Sequence, residues 1–103
     1  MVSRMLTEKQ LKKLAQEVTG RDDPAEALEE TLWTYVDQKL SHYQQEAARL
    51  EHKYGLGFEA FARRLGKELP LTWEHEQDYM AWEEAVSNLG YFEKVVSQLR
   101  VHA

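Results

Sequence analysis

Between Pro24 and Gly55 the chain contains no glycine and no proline. Nothing in that stretch breaks a helix, so one of about 31 residues, roughly 46 Å at 1.5 Å per residue, is free to run. Its apolar residues decide where such a helix must lie. Leu32, Val36, Leu40, Tyr43, Ala47, Leu50 and Tyr54 follow at steps of four, four, three, four, three and four. That is close to a heptad seam, the pattern of a helix lying along another helix. A second seam, Tyr79, Trp82, Val86, Leu89, Phe92, Val96 and Leu99, runs through the last part of the chain at steps of three, four, three, three, four and three. No segment alternates apolar and polar residues long enough to read as a strand.

Local signals divide the chain into four helices, at about residues 7–19, 24–54, 58–65 and 72–100. Thr7-Glu8-Lys9-Gln10 is a capping-box pattern, and the helix it opens carries Leu11, Leu14, Ala15 and Val18 on one face before Gly20 stops it. Asp22-Asp23-Pro24 restarts the chain with an acidic cap and a proline at the first helical position. Gly55-Leu56 ends the long helix, the leucine folding back on its last turn. Phe58, Phe61, Ala62 and Leu65 make one short amphipathic helix, closed by Gly66 and Pro70, and Thr72 caps the last long one. The expected architecture is one all-α domain over residues 1–103. It is a long antiparallel helical hairpin with a short connecting helix and an N-terminal helix, completed to a four-helix bundle by dimerisation.

Bulk charge narrows the function classes. With 13 basic and 18 acidic side chains the net charge is −5, against the basic face usual in nucleic-acid and membrane-surface proteins. There is no apolar run of transmembrane length and no secretory signal at Met1–Leu6, so a cytoplasmic protein is expected. Cysteine is absent, which removes disulfides and thiolate chemistry. Ser3, Ser41, Ser87 and Ser97 sit in no glycine-flanked elbow, and Gly55-Leu56-Gly57 lacks the Lys-Ser/Thr pair of a phosphate loop. No catalytic constellation is expected, and the chain reads as a non-enzyme.

Two helices in a pair bury one seam each, yet more apolar residues remain. Trp73, Met80, Tyr91 and Val95 lie about 120–180° from the main seam of the last helix at 100° per residue, and Leu28, Trp33 and Tyr35 flank the seam of the second. Large aromatics left on the surface of a thin hairpin mark an interface unless the N-terminal helix folds back over them. Trp33, Tyr35, Trp73, Met80, Trp82, Tyr91 and Val95 are therefore the expected interface residues, with a homodimer as the simplest closed solution.

The last helix also opens with Glu74, Glu76, Asp78, Glu83 and Glu84, a stretch with no Lys or Arg. Such a run is ordinarily a solvated face matched to the helix dipole. As a functional feature it is an acidic dock for a basic partner protein. The alternative from another class is a helical metal- or cofactor-binding protein using His42 with Glu46 and His75 with Asp78. No Glu-x-x-His motif supports a helical di-metal site, so neither metal nor cofactor is the leading expectation. A third class, a small nucleic-acid regulator, would have to use Arg4, Lys9, Lys12 and Lys13, the one locally basic region. Arg63 and Arg64, opposite Phe58 and Phe61, are placed to pair with acids of a neighbouring helix.

Lys53-Tyr54-Gly55-Leu56-Gly57-Phe58-Glu59-Ala60-Phe61, followed by Asp78-Tyr79-Met80-Ala81-Trp82-Glu83, resembles small all-helical prokaryotic proteins encoded beside a toxin-like partner and regarded as antitoxins. The resemblance covers roughly residues 40–90. It implies a protein that binds and neutralises a partner, with no catalytic residues to carry over. That family tends to place Ser or Thr where Gly57 stands, so this chain lacks the side-chain cap of the short helix.

Overall fold

The computed structural model of the chain describes residues 6–101, with no side chain described for Val101. They form α1 (Glu8–Thr19), α2 (Pro24–Tyr54), α3 (Phe58–Arg64) and α4 (Trp73–Val101). Among the described residues the β pairing is confined to an isolated Leu65–Leu69 bridge, so the fold is all-α. No described helix is long and apolar enough to cross a membrane. Arg4 and His102 lie outside the described residues.

Each boundary has a local cause. The Thr7 hydroxyl accepts from Gln10 N–H at 3.1 Å while the Gln10 side chain accepts from Thr7 N–H at 2.9 Å, a complete capping box. Gly20, at φ 72°, closes α1 through its N–H to the Gln16 carbonyl at 2.9 Å. Asp23 Oδ1 accepts from Ala25 N–H at 2.9 Å and opens α2 beside Pro24. That helix then runs unbroken to Gly55, whose φ of 70° lies in the left-handed region where a Cβ is strained. Gly57 gives α3 no side-chain cap. At the far end, Thr72 Oγ1 accepts from His75 N–H at 3.1 Å and opens α4.

The chain divides into two compact units, Met1–Asp37 and Gln38–Ala103. In the first, Ala27 and Val36 are buried, but α1 buries no residue at all. Its apolar face shows the expected periodicity but is left open: Leu11 and Leu14 are exposed and Val18 is 83% exposed. Leu28, Leu32 and Tyr35 on α2 are exposed as well. An Arg21–Glu30 ion pair at 3.7 Å, longer than a hydrogen bond and with both side chains partly exposed, contributes little.

The second unit has the real core. Leu50, Phe61 and Trp82 are buried against one another, with Ala47, Tyr54, Leu56, Phe58, Leu65 and Tyr79 packed around them. Contacts between the later half of α2 and α4 run in opposite chain order. Tyr54 stacks on Trp82 (centroids 6.2 Å apart), and the earlier Tyr43 stacks on the later Phe92 at 6.4 Å. The short α3 lays Phe58 and Phe61 on the same Trp82 ring, at 5.7 and 5.3 Å. Aromatic pairs of this kind add about 0.5–1.5 kcal/mol each beyond area burial.

Phe61, with no exposed surface, is the side chain this core can least spare. Phe61→Ala is expected to cost about 3–5 kcal/mol, through lost transfer energy and the cavity left behind. Denaturant unfolding of the variant checks this, and a loss below about 1 kcal/mol would mean the core is not built around that ring.

Candidate functional site

Two places in the second unit stand out, one polar and half-hidden, the other apolar and exposed. The polar one is built from the end of α2 and the start of α4. Lys53 Nζ lies 2.7 Å from Asp78 Oδ2 and 2.6 Å from Glu74 Oε1. The Tyr54 hydroxyl donates to the same Asp78 oxygen. Asp78 is the one buried charged residue among those described, 9% exposed. His75 completes the shell, its Nδ1 2.6 Å from the Pro70 carbonyl and its ring edge-on to Tyr54 and Phe61 at 5.8 and 6.4 Å.

The protonation behaviour follows from these partners. Burial works against the charge on Asp78, but hydrogen bonds from Lys53 and Tyr54, with Lys53 and Arg49 charge nearby, outweigh it and hold the carboxyl below its ordinary 3.8. Burial, then the hydrogen bond to Asp78, push the Tyr54 phenol up to about 12. Lys53 is raised as well, by its hydrogen bonds to Asp78 and Glu74. All three move away from neutrality. A general acid or base needs the reverse, a pKa drawn towards the working pH. This cluster acts as a clamp between two helices, one that keeps its charges fixed.

The expected residues fall into distinct environments. Trp82 is corrected: at 2% exposed it lies at the centre of the core, because α3 and the end of α2 close over it, and it has no surface to offer an interface. Asp78 is likewise taken up by Lys53 and Tyr54 and is no free docking charge, and Glu74 shares the same lysine. Glu83 accepts from the Tyr79 hydroxyl at 3.0 Å, and Glu76, Glu83 and Glu84 are exposed. Trp33 and Val95 are half-buried, and Tyr35 is exposed.

Trp73, Met80 and Tyr91 remain 77%, 63% and 60% exposed. Met80 follows Trp73 by seven residues and Tyr91 follows Met80 by eleven, close to two and three whole turns. They form one line on the side of α4 turned away from Trp82.

Of the alternative metal set, Glu46 is bonded to Arg49 at 2.6 Å, which lowers its pKa, and Asp78 is clamped as described. His42 is exposed, its ring edge-on to Tyr43 at 5.0 Å. Among the described residues no group of three or more His, Cys, Asp or Glu is gathered as a metal ion would need. Nor do Arg63 and Arg64 make an ion pair with another described residue; the cation that answers the α4 acids is Lys53. Sequence reasoning missed that link. Its signal was the matched placing of Tyr54 and Trp82 on the two seams, which brings the residue before Tyr54 alongside the turn before Trp82.

No known family profile, curated protein or solved structure matches this chain.

The clamp makes a titration prediction. A folded pKa raised above the unfolded one stabilises below the unfolded value and loses that contribution as pH rises through the folded one. For Tyr54 the window is from 10.0 to about 12. Spectrophotometric titration should show Tyr54 ionising late, and Asp78→Asn should remove the part of the delay owed to its carboxylate. Asp78 works in the opposite sense: its contribution is complete above 3.8 and fades as pH falls through the lowered value. An unchanged tyrosine titration in the Asn variant would refute the link.

Proposed function

We propose that this chain works by binding other protein chains and carries out no catalysis. The observation behind the reading is the line of Trp73, Met80 and Tyr91, large apolar side chains held in register on a well-formed helix yet left in water. Aromatic and methionine side chains of this kind are the usual anchors of protein interfaces. The polar cluster supports the same reading, since its groups shift away from the pH at which they could exchange protons. The resemblance to antitoxin-like proteins fits it too, and an antitoxin-like role, neutralising a partner by covering it, is the most specific form we propose.

Self-association is the second half of the proposal. Leu11, Leu14 and Val18 of α1 and Leu28, Leu32 and Tyr35 of α2 are exposed apolar side chains within one small unit. Two copies can bury these faces together, α1 and the start of α2 from each supplying the four helices of a bundle. Within the second unit by itself, the later half of α2 and α4 are read as the antiparallel hairpin favoured by their seams.

Light scattering on the full-length chain tests this. The expected species is a dimer, shifted towards monomer by Leu14→Glu with Leu32→Glu while far-UV helicity is kept. A chain that stays monomeric at every concentration would remove the self-association half.

A further inference from the structure

The geometry points to a basic amphipathic helix of another protein as the occupant of the outer face of α4, a proposal that rests on the binding reading above. From Trp73 to Tyr91 the apolar line is about 27 Å long at 1.5 Å per residue, which suits a helix of five turns laid alongside. Its charged border is one-sided. At 100° per residue, Glu84 falls within the line, about 20° from Trp73, and Glu76 and Glu83 lie about 60–80° from Trp73 to the other side of it. Glu74 and Asp78, the acids that hold Lys53, are on the side opposite Glu76 and Glu83, about 100–140° round. From Trp73 to Glu93 the helix carries no Lys or Arg. The exposed acids on the border of the apolar line therefore have no basic neighbour on their own helix.

Charge decides between the occupants. A second copy of α4, laid antiparallel about the middle of the line, would bring Glu83 and Glu84 of both copies together, and like charges meeting across an interface oppose it. The α1 helix of a second copy has an unburied apolar face, but its lysines are on the wrong side. Lys9, Lys12 and Lys13 lie about 130–170° from the centre of the Leu11, Leu14, Val18 face, and Glu8 borders that face. A helix with Lys or Arg along the border of its apolar stripe meets both needs: it covers Trp73, Met80 and Tyr91 and sets cations against Glu76, Glu83 and Glu84.

The test uses the full-length chain and three synthetic helical peptides of about 21 residues, roughly 32 Å. They share one leucine stripe, bordered by Lys, Gln or Glu. Binding is read by calorimetry and by the blue shift of Trp73 emission, with Trp73→Phe as the control that silences the signal. The Lys-bordered peptide is expected to bind about tenfold or more tighter than the Gln-bordered one and to weaken with added salt. The Glu-bordered peptide should not bind. A variant carrying Glu76→Lys, Glu83→Lys and Glu84→Lys, its fold checked by circular dichroism, should reverse that order. The same three positions changed to Gln should level it.

Equal binding by all three peptides, binding by none, or a preference that survives charge reversal would each overturn the proposal. If no peptide binds but light scattering finds a dimer, this proposal falls and the binding reading stands. If no peptide binds and the chain is monomeric throughout, both fall.

Discussion

One turn of α4 holds the second unit together. Asp78 and Trp82 are four residues apart, so they share a face, and Tyr54 meets both: its hydroxyl donates to the carboxylate and its ring stacks on the indole. Burying a carboxylate is expensive unless it is hydrogen-bonded and paired with a cation. Lys53 and Tyr54 both donate to Asp78 Oδ2 from adjacent positions at the end of α2, which ties α2 to one register against α4. A slip of one turn would keep apolar side chains in contact but would strand Asp78. The polar link thus selects the register that the aromatic stack fills, as buried polar groups do in helical seams. Gly55 and α3 follow from it, since the chain must turn at once after Tyr54 for Phe58 and Phe61 to reach the other faces of Trp82.

What could be read from the sequence was what local chemistry decides. Thr7, Gly20, Pro24, Gly55 and Thr72 act within a turn of themselves, through caps and backbone angles, and the helices begin and end beside them. The seams were legible for the same reason, since periodicity needs no knowledge of a partner. Lys53 and Asp78 were not legible as a pair, because their meeting depends on the register of two helices and on a turn between them. Trp82 was read two ways, as seam and as surface. Only the closure of α3 over it settles which, and no spacing rule carries that information. For α1, spacing was read correctly but burial did not follow: Leu11, Leu14 and Val18 repeat as a buried face would, yet they remain exposed.

The two tryptophans of α4 differ in what they contribute to folding. Trp82 has given up its water to three aromatic neighbours and adds to the folding free energy. Trp73, one residue past its cap, has kept most of its surface and adds little. A folding requirement alone would accept a polar residue there, where helix propensity is forgiving and the side chain buries almost nothing. The free energy available from covering Trp73 is therefore still unspent in the isolated chain, and the same holds for Met80 and Tyr91.

Charge gives that available free energy a direction. An apolar line alone accepts any greasy surface, including another copy of itself, and so invites aggregation. In the docking proposed above, acids along its border would oppose copies of the same helix and favour a partner of opposite sign, which is specificity by repulsion as much as by attraction. Lys53 sharpens the contrast. By taking Glu74 and Asp78 into the clamp it neutralises one side of α4, and the negative field is left on the side next to Trp73 and Met80. The contact that fixes how α2 meets α4 in the second unit therefore also decides which edge of α4 keeps its negative charge exposed.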